Sequence, residues 1–158
     1  MPRRRKIQAR IPQPDTRFNS VMVSSVINKI LKQGKKQKAT DIVYKAMDLA
    51  AKKLDKEALL VLDTALKNIT PAVEVRSKRV GGGNYQIPME IKPHRKQSLA
   101  IRWLVQYSHS RKGIPMEKAL SEEIIDAYNK IGAAFKKREE THKMAEANKA
   151  YAHFARFN

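Results

Sequence analysis

Apolar residues recur at intervals of three and four along most of this chain, and this spacing predicts amphipathic α-helices. Three such stretches come in the first half of the chain, with apolar positions over 22–31, 39–50 and 59–69. Two more follow, over 99–107 and 119–131. The pattern therefore favours a mainly α protein.

Residues that commonly begin and end helices support these bounds. Asn19 or Ser20 is expected to cap the first helix and Asp55 the third, because their short polar side chains bond free backbone N–H groups. Gly34 is expected to end the first helix. Pro71 should stop the third, because proline has no N–H group for the helical ladder.

One segment does not follow the helical spacing. In VEVRSKRVGGGNYQIPMEI, residues 73–91, apolar and polar side chains alternate on both sides of a run of glycines. Alternation predicts two strands, and Gly81 to Asn84 supply the positive φ angles of a tight turn, so a β-hairpin is expected. A nucleotide-binding loop is not predicted, because neither a Lys–Ser/Thr pair nor a helix follows Gly83.

The pattern changes again near the C-terminus. The segment KKREETHK, residues 136–143, has no apolar side chain, so it should be exposed or lie against a polar partner. Beyond it, Tyr151, Phe154 and Phe157 are spaced three apart. Aromatic rings beside basic residues stack on bases, but they equally dock on a protein's own surface. The spacing leaves both interpretations open.

Together these patterns predict one mainly α domain with basic N- and C-terminal extensions. About six helices should occupy residues 19–150, with a protruding two-stranded hairpin at 73–91 between helices 3 and 4. Residues 1–18 are expected to form an extended basic arm, because their three prolines discourage a helix. Residues 151–158 form the C-terminal tail.

The charge balance changes the picture from a fold to a kind of partner. The chain of 158 residues has 33 Lys and Arg against 15 Asp and Glu, a net charge of +18. Such an excess favours a polyanionic partner. Nucleic acid is favoured over a membrane, because no basic face is paired with a face rich in Trp and Phe. No apolar run reaches the ~20 residues of a membrane-spanning helix.

The acidic residues are unevenly distributed. They concentrate on the third predicted helix (Asp55, Glu57, Asp63) and on the fifth (Glu117, Glu122, Glu123, Asp126). These two helices are therefore expected to face solvent or partner proteins, whereas the basic segments face the polyanion.

Catalytic and metal-binding patterns are not found in the sequence. The absence of cysteine excludes disulfides, cysteine-ligated zinc and thiol catalysis. The four histidines lack metal-ligand spacing. Glu139 and Glu140 are adjacent and so point to different faces of a helix, which suits acid–base catalysis poorly. We therefore predict no enzyme, no metal and no cofactor.

Several long segments, taken in order, resemble one known family. They are MPRRR at the start, GKK and IVYKA, the hairpin PAVEVRSKRVGGGNYQIPMEI, then SLAIRWL and KKREETHKMAEANKAYAHF. This combination resembles the small-subunit ribosomal protein seven family of bacteria and organelles. The resemblance implies a six-helix fold with a protruding hairpin. It also implies primary binding to the 3′ major domain of 16S-type ribosomal RNA, and nucleation of the assembly of the subunit head.

The resemblance implies neighbours and contact residues as well. Members of the family lie near the exit-site tRNA and the mRNA path, beside small-subunit proteins nine and eleven, in cytoplasmic or organellar ribosomes. Matched position by position, the implied RNA-binding residues are Arg3, Arg4, Arg5, Arg10, Lys35, Lys36, Arg76, Lys78, Arg79, Gly81, Gly82, Tyr85, Arg95, Arg102, Lys136, Lys137, Arg138 and Lys143. From charge alone, the alternative is a non-ribosomal architectural protein that binds DNA or RNA.

Overall fold

A computed structural model of the chain describes residues 12–156. The predictions for Arg3, Arg4, Arg5, Arg10 and Phe157 lie outside these residues. Within them, six α-helices, one two-stranded sheet and a short 3₁₀ helix follow one another. In chain order they are α1 (Val21–Ile30), α2 (Lys36–Leu54), α3 (Ala58–Ile69), β1 (Val73–Val80), β2 (Gly83–Glu90), α4 (Pro93–Ser110), α5 (Met116–Tyr128), α6 (Ala133–Ala147) and the 3₁₀ helix (Lys149–Arg156).

The predicted fold class is confirmed. The apolar stripes of α1 to α5 meet in one buried cluster. Ile91, just after β2, and Ala134 on α6 also belong to it. Burying these stripes is the main source of stability for helices of this length. The hairpin lies between α3 and α4 in the chain, as predicted.

The position of α5 corrects one expectation. Its acidic residues predicted a helix that faces solvent, but α5 contacts α2, α3, α4 and α6 and lies in the middle of the bundle. Leu120, Ile124 and Ala127 are fully buried on it, and so is Glu123. The expectation was wrong because the partner that neutralises Glu123 comes from the loop before α5.

Helix ends also differ from the predictions at two places. α1 ends at Ile30, four residues before Gly34, which lies in the turn to α2. Asp55 does not cap α3; it follows the last residue of α2 in a left-handed conformation with φ of 50°, and Glu57 precedes α3. Ser20 occupies the position before α1, but its side chain makes no capping hydrogen bond. α3 stops two residues before Pro71, as predicted.

The hairpin turn is shorter than predicted. The strands are antiparallel, with Val80 opposite Gly83, so only Gly81 and Gly82 form the turn. Their φ angles are 56° and 90°. Two consecutive positive φ angles are what a two-residue type I′ turn requires, and its twist matches that of the flanking strands.

The C-terminal segment packs against the hairpin. None of residues 136–143 on α6 is buried, as predicted. The 3₁₀ helix contacts β2, where the ring of Tyr85 lies 5.3 Å from that of Tyr151 and 5.4 Å from that of Phe154 between centroids. Of the two interpretations left open for Tyr151 and Phe154, the structure shows docking on the protein's own surface.

Candidate nucleic-acid interface

The end of the basic arm is fixed to α2 by a buried carboxylate. Asp15 accepts hydrogen bonds from the backbone N–H groups of Arg17 and Phe18, both at 3.1 Å, and from the Tyr44 hydroxyl at 2.6 Å. Burial raises the pKa of Asp15, but these bonds, led by the one from Tyr44, outweigh it and hold the pKa below its usual value. Arg17 adds two parallel bonds to Asp48 on α2, at 2.9 and 3.0 Å. The arm therefore leaves the bundle from a defined place.

At the base of the hairpin, two of the predicted arginines meet at one carboxylate. The Glu74 side chain is 10% exposed and accepts from Arg76 at 2.6 Å and from Arg95 at 2.8 Å. We call Glu74, Arg76 and Arg95 the hairpin base. Burial raises the pKa of Glu74, but the hydrogen bonds from Arg95 and then Arg76 outweigh it, so its pKa lies below the usual value. The carboxylate is therefore a charged anchor for both guanidinium groups.

The strand register explains why these groups come together. Glu74, Arg76 and Lys78 lie opposite Met89, Ile87 and Tyr85. Cross-strand partners share a face of the sheet, so these charged residues share the face that carries buried Ile87. The guanidinium groups reach outward from it, since the side chains of Arg76 and Arg95 remain 54% and 45% exposed. The hairpin base thus presents two oriented cations to the surface.

The remaining predicted hairpin residues lie toward the tip. Arg79 is exposed and Lys78 is half-buried, while Gly81 and Gly82 are exposed in the turn. Tyr85 lies partly under the rings of the C-terminal 3₁₀ helix.

Lys35 and Lys36 lie at the N-terminus of α2. Lys36 is the first helical residue, Lys35 precedes it, and Lys35 Nζ donates to Gln33 Oε1 at 2.8 Å. Both side chains are exposed. The positive end of the helix dipole repels cations at a helix N-terminus, and an anion bound there offsets this repulsion. Their placement fits contact with a phosphate better than a structural role.

The basic residues of α6 fall into two groups. Lys136 and Lys143 are exposed, and Lys137 pairs with Glu140 at 3.3 Å. Arg138 is different: Nη1 donates to the Asn68 carbonyl at 2.7 Å, and its guanidinium lies over the Phe135 ring. Nearby, the N–H of Ala72 donates to His142 Nε2 at 3.1 Å. Arg138 thus ties α6 to the end of α3.

One arginine that sequence reasoning did not single out is used inside the protein. Arg111, just after α4, contacts Glu122, Glu123 and Asp126 of α5. Burial lowers the pKa of Arg111, but the hydrogen bonds that Arg111 donates to Glu123 and Asp126 raise this pKa by more than burial lowers it. Glu123 also accepts from the N–H of Ala134 at 2.9 Å, at the start of α6. We call these four charged residues the α5–α6 corner.

Metal-binding clusters and membrane-spanning helices are both absent from the described residues. Among residues 12–156, no group of three or more His, Asp or Glu side chains is arranged to hold a metal ion. No helix in the described part of the chain is long and apolar enough to cross a membrane.

The helical bundle, the two-stranded hairpin and the outward-facing cations are typical of a structural nucleic-acid-binding protein. A family model described as ribosomal protein S7p/S5e matches residues 2–149. The chain belongs to this family, which confirms the resemblance seen in the sequence. The family is structural and not enzymatic, which confirms the prediction that the chain is no enzyme.

Curated relatives match over nearly their full length. A small ribosomal subunit protein uS7 of Roseiflexus sp. is 52% identical over 157 residues, covering 99% of this chain and 100% of the relative. Those of Symbiobacterium thermophilum and Dictyoglomus turgidum are 53% and 51% identical over 154 residues, each covering 98% of this chain and 99% of the relative. The similarity thus includes the hairpin and both ends of the bundle.

Proposed function

We propose that this chain is a structural constituent of the small ribosomal subunit that binds the 3′ major domain of 16S-type ribosomal RNA directly and nucleates assembly of the head. Its place in the small subunit follows from the family and from relatives named as small-subunit proteins. The observation that carries direct RNA binding is the hairpin base, where a buried carboxylate holds two half-exposed arginines in fixed orientation.

The geometry suits folded RNA better than a regular duplex. The deep major groove of an RNA helix does not admit side chains, so proteins contact phosphates, 2′-hydroxyls and overall shape. A two-stranded ribbon and an extended arm enter junctions where a helix would not fit. Fixing Arg76 and Arg95 on Glu74 reduces the side-chain entropy lost when they meet phosphates.

Distributed contacts of this kind stabilise one RNA conformation without chemistry. The exposed predicted residues lie in three separate places: Lys35 and Lys36 at the start of α2, Arg79 on β1, and Lys136 and Lys143 on α6. One folded RNA domain would therefore have to contact several elements of the protein. The RNA conformation that reaches the most cations is the one that is stabilised. This is how we propose that the protein nucleates head assembly.

The finer placement rests on the family resemblance. We propose that the protein lies near the exit-site tRNA and the mRNA path and beside small-subunit proteins nine and eleven. We also propose that it works in the cytoplasmic ribosome or its organellar counterpart. No cofactor enters this function.

The first test compares RNAs at one salt concentration. The full-length protein should bind the isolated 3′ major domain much more tightly than an unrelated structured RNA of equal length. Equal affinities would contradict specific ribosomal RNA binding. They would favour the alternative, a general architectural protein, which would also fail to co-sediment with small ribosomal subunits at moderate salt.

The second test concerns the hairpin. Neutralising Arg76, Lys78 and Arg79 to Gln should reduce the dependence of log K on log salt by about one unit per lost phosphate contact. The matched control neutralises Lys52, Lys53 and Lys118, three exposed lysines outside the predicted contacts. An equal fall in slope for both triple variants would mean that only total charge matters.

A further inference from the structure

We propose that a cleft between α1 and α4 holds one unpaired nucleotide of the bound RNA, with its base against an apolar wall and its phosphate beside two cations. This inference rests on the proposed RNA-binding function. The cleft has a volume of about 530 Å³. Its walls include Val21, Asn28 and Lys29 from α1 and Ser98, Ile101 and Arg102 from α4.

The cleft has the size and one apolar surface that a base requires. Its volume lies within the roughly 300–1,000 Å³ typical of small-molecule sites. Ile101 forms the buried part of the wall, at 5% exposure, and Val21 is 38% exposed beside it. A base laid between them would remove the exposed Val21 surface from water, and every base has an apolar face that suits this contact.

The cations of the cleft differ from those of the hairpin base. Lys29 and Arg102 are exposed, and neither makes an ion pair or hydrogen bond with any side chain that the structure describes. His94 also lines the cleft, and no acidic residue among residues 12–156 does. The local charge is therefore positive and not neutralised from within the described chain. A nucleotide suits this cleft, because its phosphate neutralises the positive charge and is covalently joined to a base.

The polar groups of the cleft suit an unpaired base. The Ser25 hydroxyl donates to the Val21 carbonyl, and the Gln97 amide donates to Met22 Sδ, so both are engaged. Asn28 and Ser98 have no such partner among residues 12–156. An amide both donates and accepts, as the edge of a base does, but it reaches that edge only when the base is not paired.

The cleft also adjoins the arm. Pro12, the first described residue, lines it, so the segment that carries the arm's arginines joins the bundle at this edge. An RNA strand bound by the arm would therefore pass the mouth of the cleft.

The test blocks the cleft in the full-length protein. Ser98→Trp fills it from an exposed position on α4, and Gln106→Trp places the same side chain on the same helix away from it. Both variants should show unchanged thermal unfolding. Base-specific chemical probing of the 3′ major domain should reveal an unpaired base that wild-type protein and Gln106→Trp protect and that Ser98→Trp leaves reactive. Ser98→Trp should weaken binding about ten-fold, because the contact between the base and the apolar wall is lost.

Each outcome separates the cleft from the wider function. If Ser98→Trp binds the 3′ major domain as tightly as wild type with every protection intact, the cleft proposal is overturned and RNA binding stands. If the base protection survives Ser98→Trp but is lost when Arg3, Arg4 and Arg5 become Gln, the arm and not the cleft holds the base, which also overturns it. If wild-type protein does not prefer the 3′ major domain, both proposals fall. Lys29→Gln with Arg102→Gln should lower the salt slope by about one unit, because both cations meet the same phosphate.

Discussion

Two buried carboxylates, Glu74 at the hairpin base and Glu123 at the α5–α6 corner, are both held by arginine, yet their surroundings are opposite. Glu74 is one acid between two arginines that stay about half exposed. Glu123 is one of three acids around a single arginine, Arg111, whose side chain is 27% exposed. The first cluster keeps one net positive charge and the second keeps two net negative charges.

The difference separates the cations that we propose for RNA binding from a cation that serves folding. At the hairpin base, the acid fixes the direction of Arg76 and Arg95 and leaves both side chains about half exposed. At the α5–α6 corner, the acids surround Arg111, and Glu123 also binds the first turn of α6. A count of basic residues along the chain would not distinguish Arg76 and Arg95 from Arg111.

The largest expected effect comes from breaking the α5–α6 corner. Glu123→Ala should lower the free energy of unfolding by about 3–4 kcal/mol, because it removes one partner of a buried ion pair and the acceptor of the Ala134 N–H. Chemical denaturation measures this. The salt dependence of RNA binding should not change.

The matched control for that prediction is Glu122→Ala. Glu122 also contacts Arg111, but its side chain is 40% exposed, so the expected loss is about 0.5 kcal/mol. Equal losses from the two variants would mean that burial does not distinguish the contacts.

The next effect compares a glycine from each region. Gly132 precedes α6 with φ of 93° and ψ of 170°, and an added Cβ would lie 2.8 Å from the Cβ of Asp126. Gly132→Ala should therefore cost about 2–3 kcal/mol. Gly81→Ala at the hairpin turn meets no atom within 4 Å and should cost about 1 kcal/mol. Thermal unfolding of both variants tests the order, and the reverse order would contradict it.

The smallest effect is a pH dependence at the hairpin base. The folded-state pKa of Glu74 lies below its usual value of 4.5. The stability that the ionised carboxylate contributes is therefore present above pH 4.5 and is lost as the pH falls through the lower pKa of the folded state. At pH 7, Glu74→Gln should be less stable than wild type by about 1–2 kcal/mol. This difference in the free energy of unfolding between wild type and Glu74→Gln should disappear at acidic pH. A gap that stays constant down to pH 3 would show that the charge of Glu74 does not matter.

Much of this arrangement follows from local sequence patterns. Helical spacing predicts the first five helices, and alternation around Gly81 and Gly82 predicts the hairpin. The acids of α5 led to a wrong expectation because Arg111 lies outside that helix. The meeting of Arg76 with Arg95 was not predictable either, because it depends on strand register and on how α4 follows the hairpin, neither of which residue spacing specifies.

The α1–α4 cleft shows the same limit. Arg102 was matched to RNA contact from the family resemblance, but Lys29 and Asn28 carried no signal in the sequence. Only the packing of α1 against α4 brings them to one cavity. Because residues far apart in the chain line the cleft, local sequence patterns predict its positive charge but do not predict the cavity itself.

The most direct test of the contrast between the two regions uses the absence of native cysteine. A single cysteine is introduced, Arg79→Cys at an exposed position on the hairpin or Glu122→Cys at a partly exposed position of the α5–α6 corner, and an iron chelate is attached to it. Hydroxyl radicals generated there cleave only nearby RNA. In complexes with the 3′ major domain, we expect strong, localised cleavage from position 79 and little from position 122. Equal cleavage from both positions, or stronger cleavage from position 122, would contradict the assignment of the hairpin to RNA and the corner to the fold.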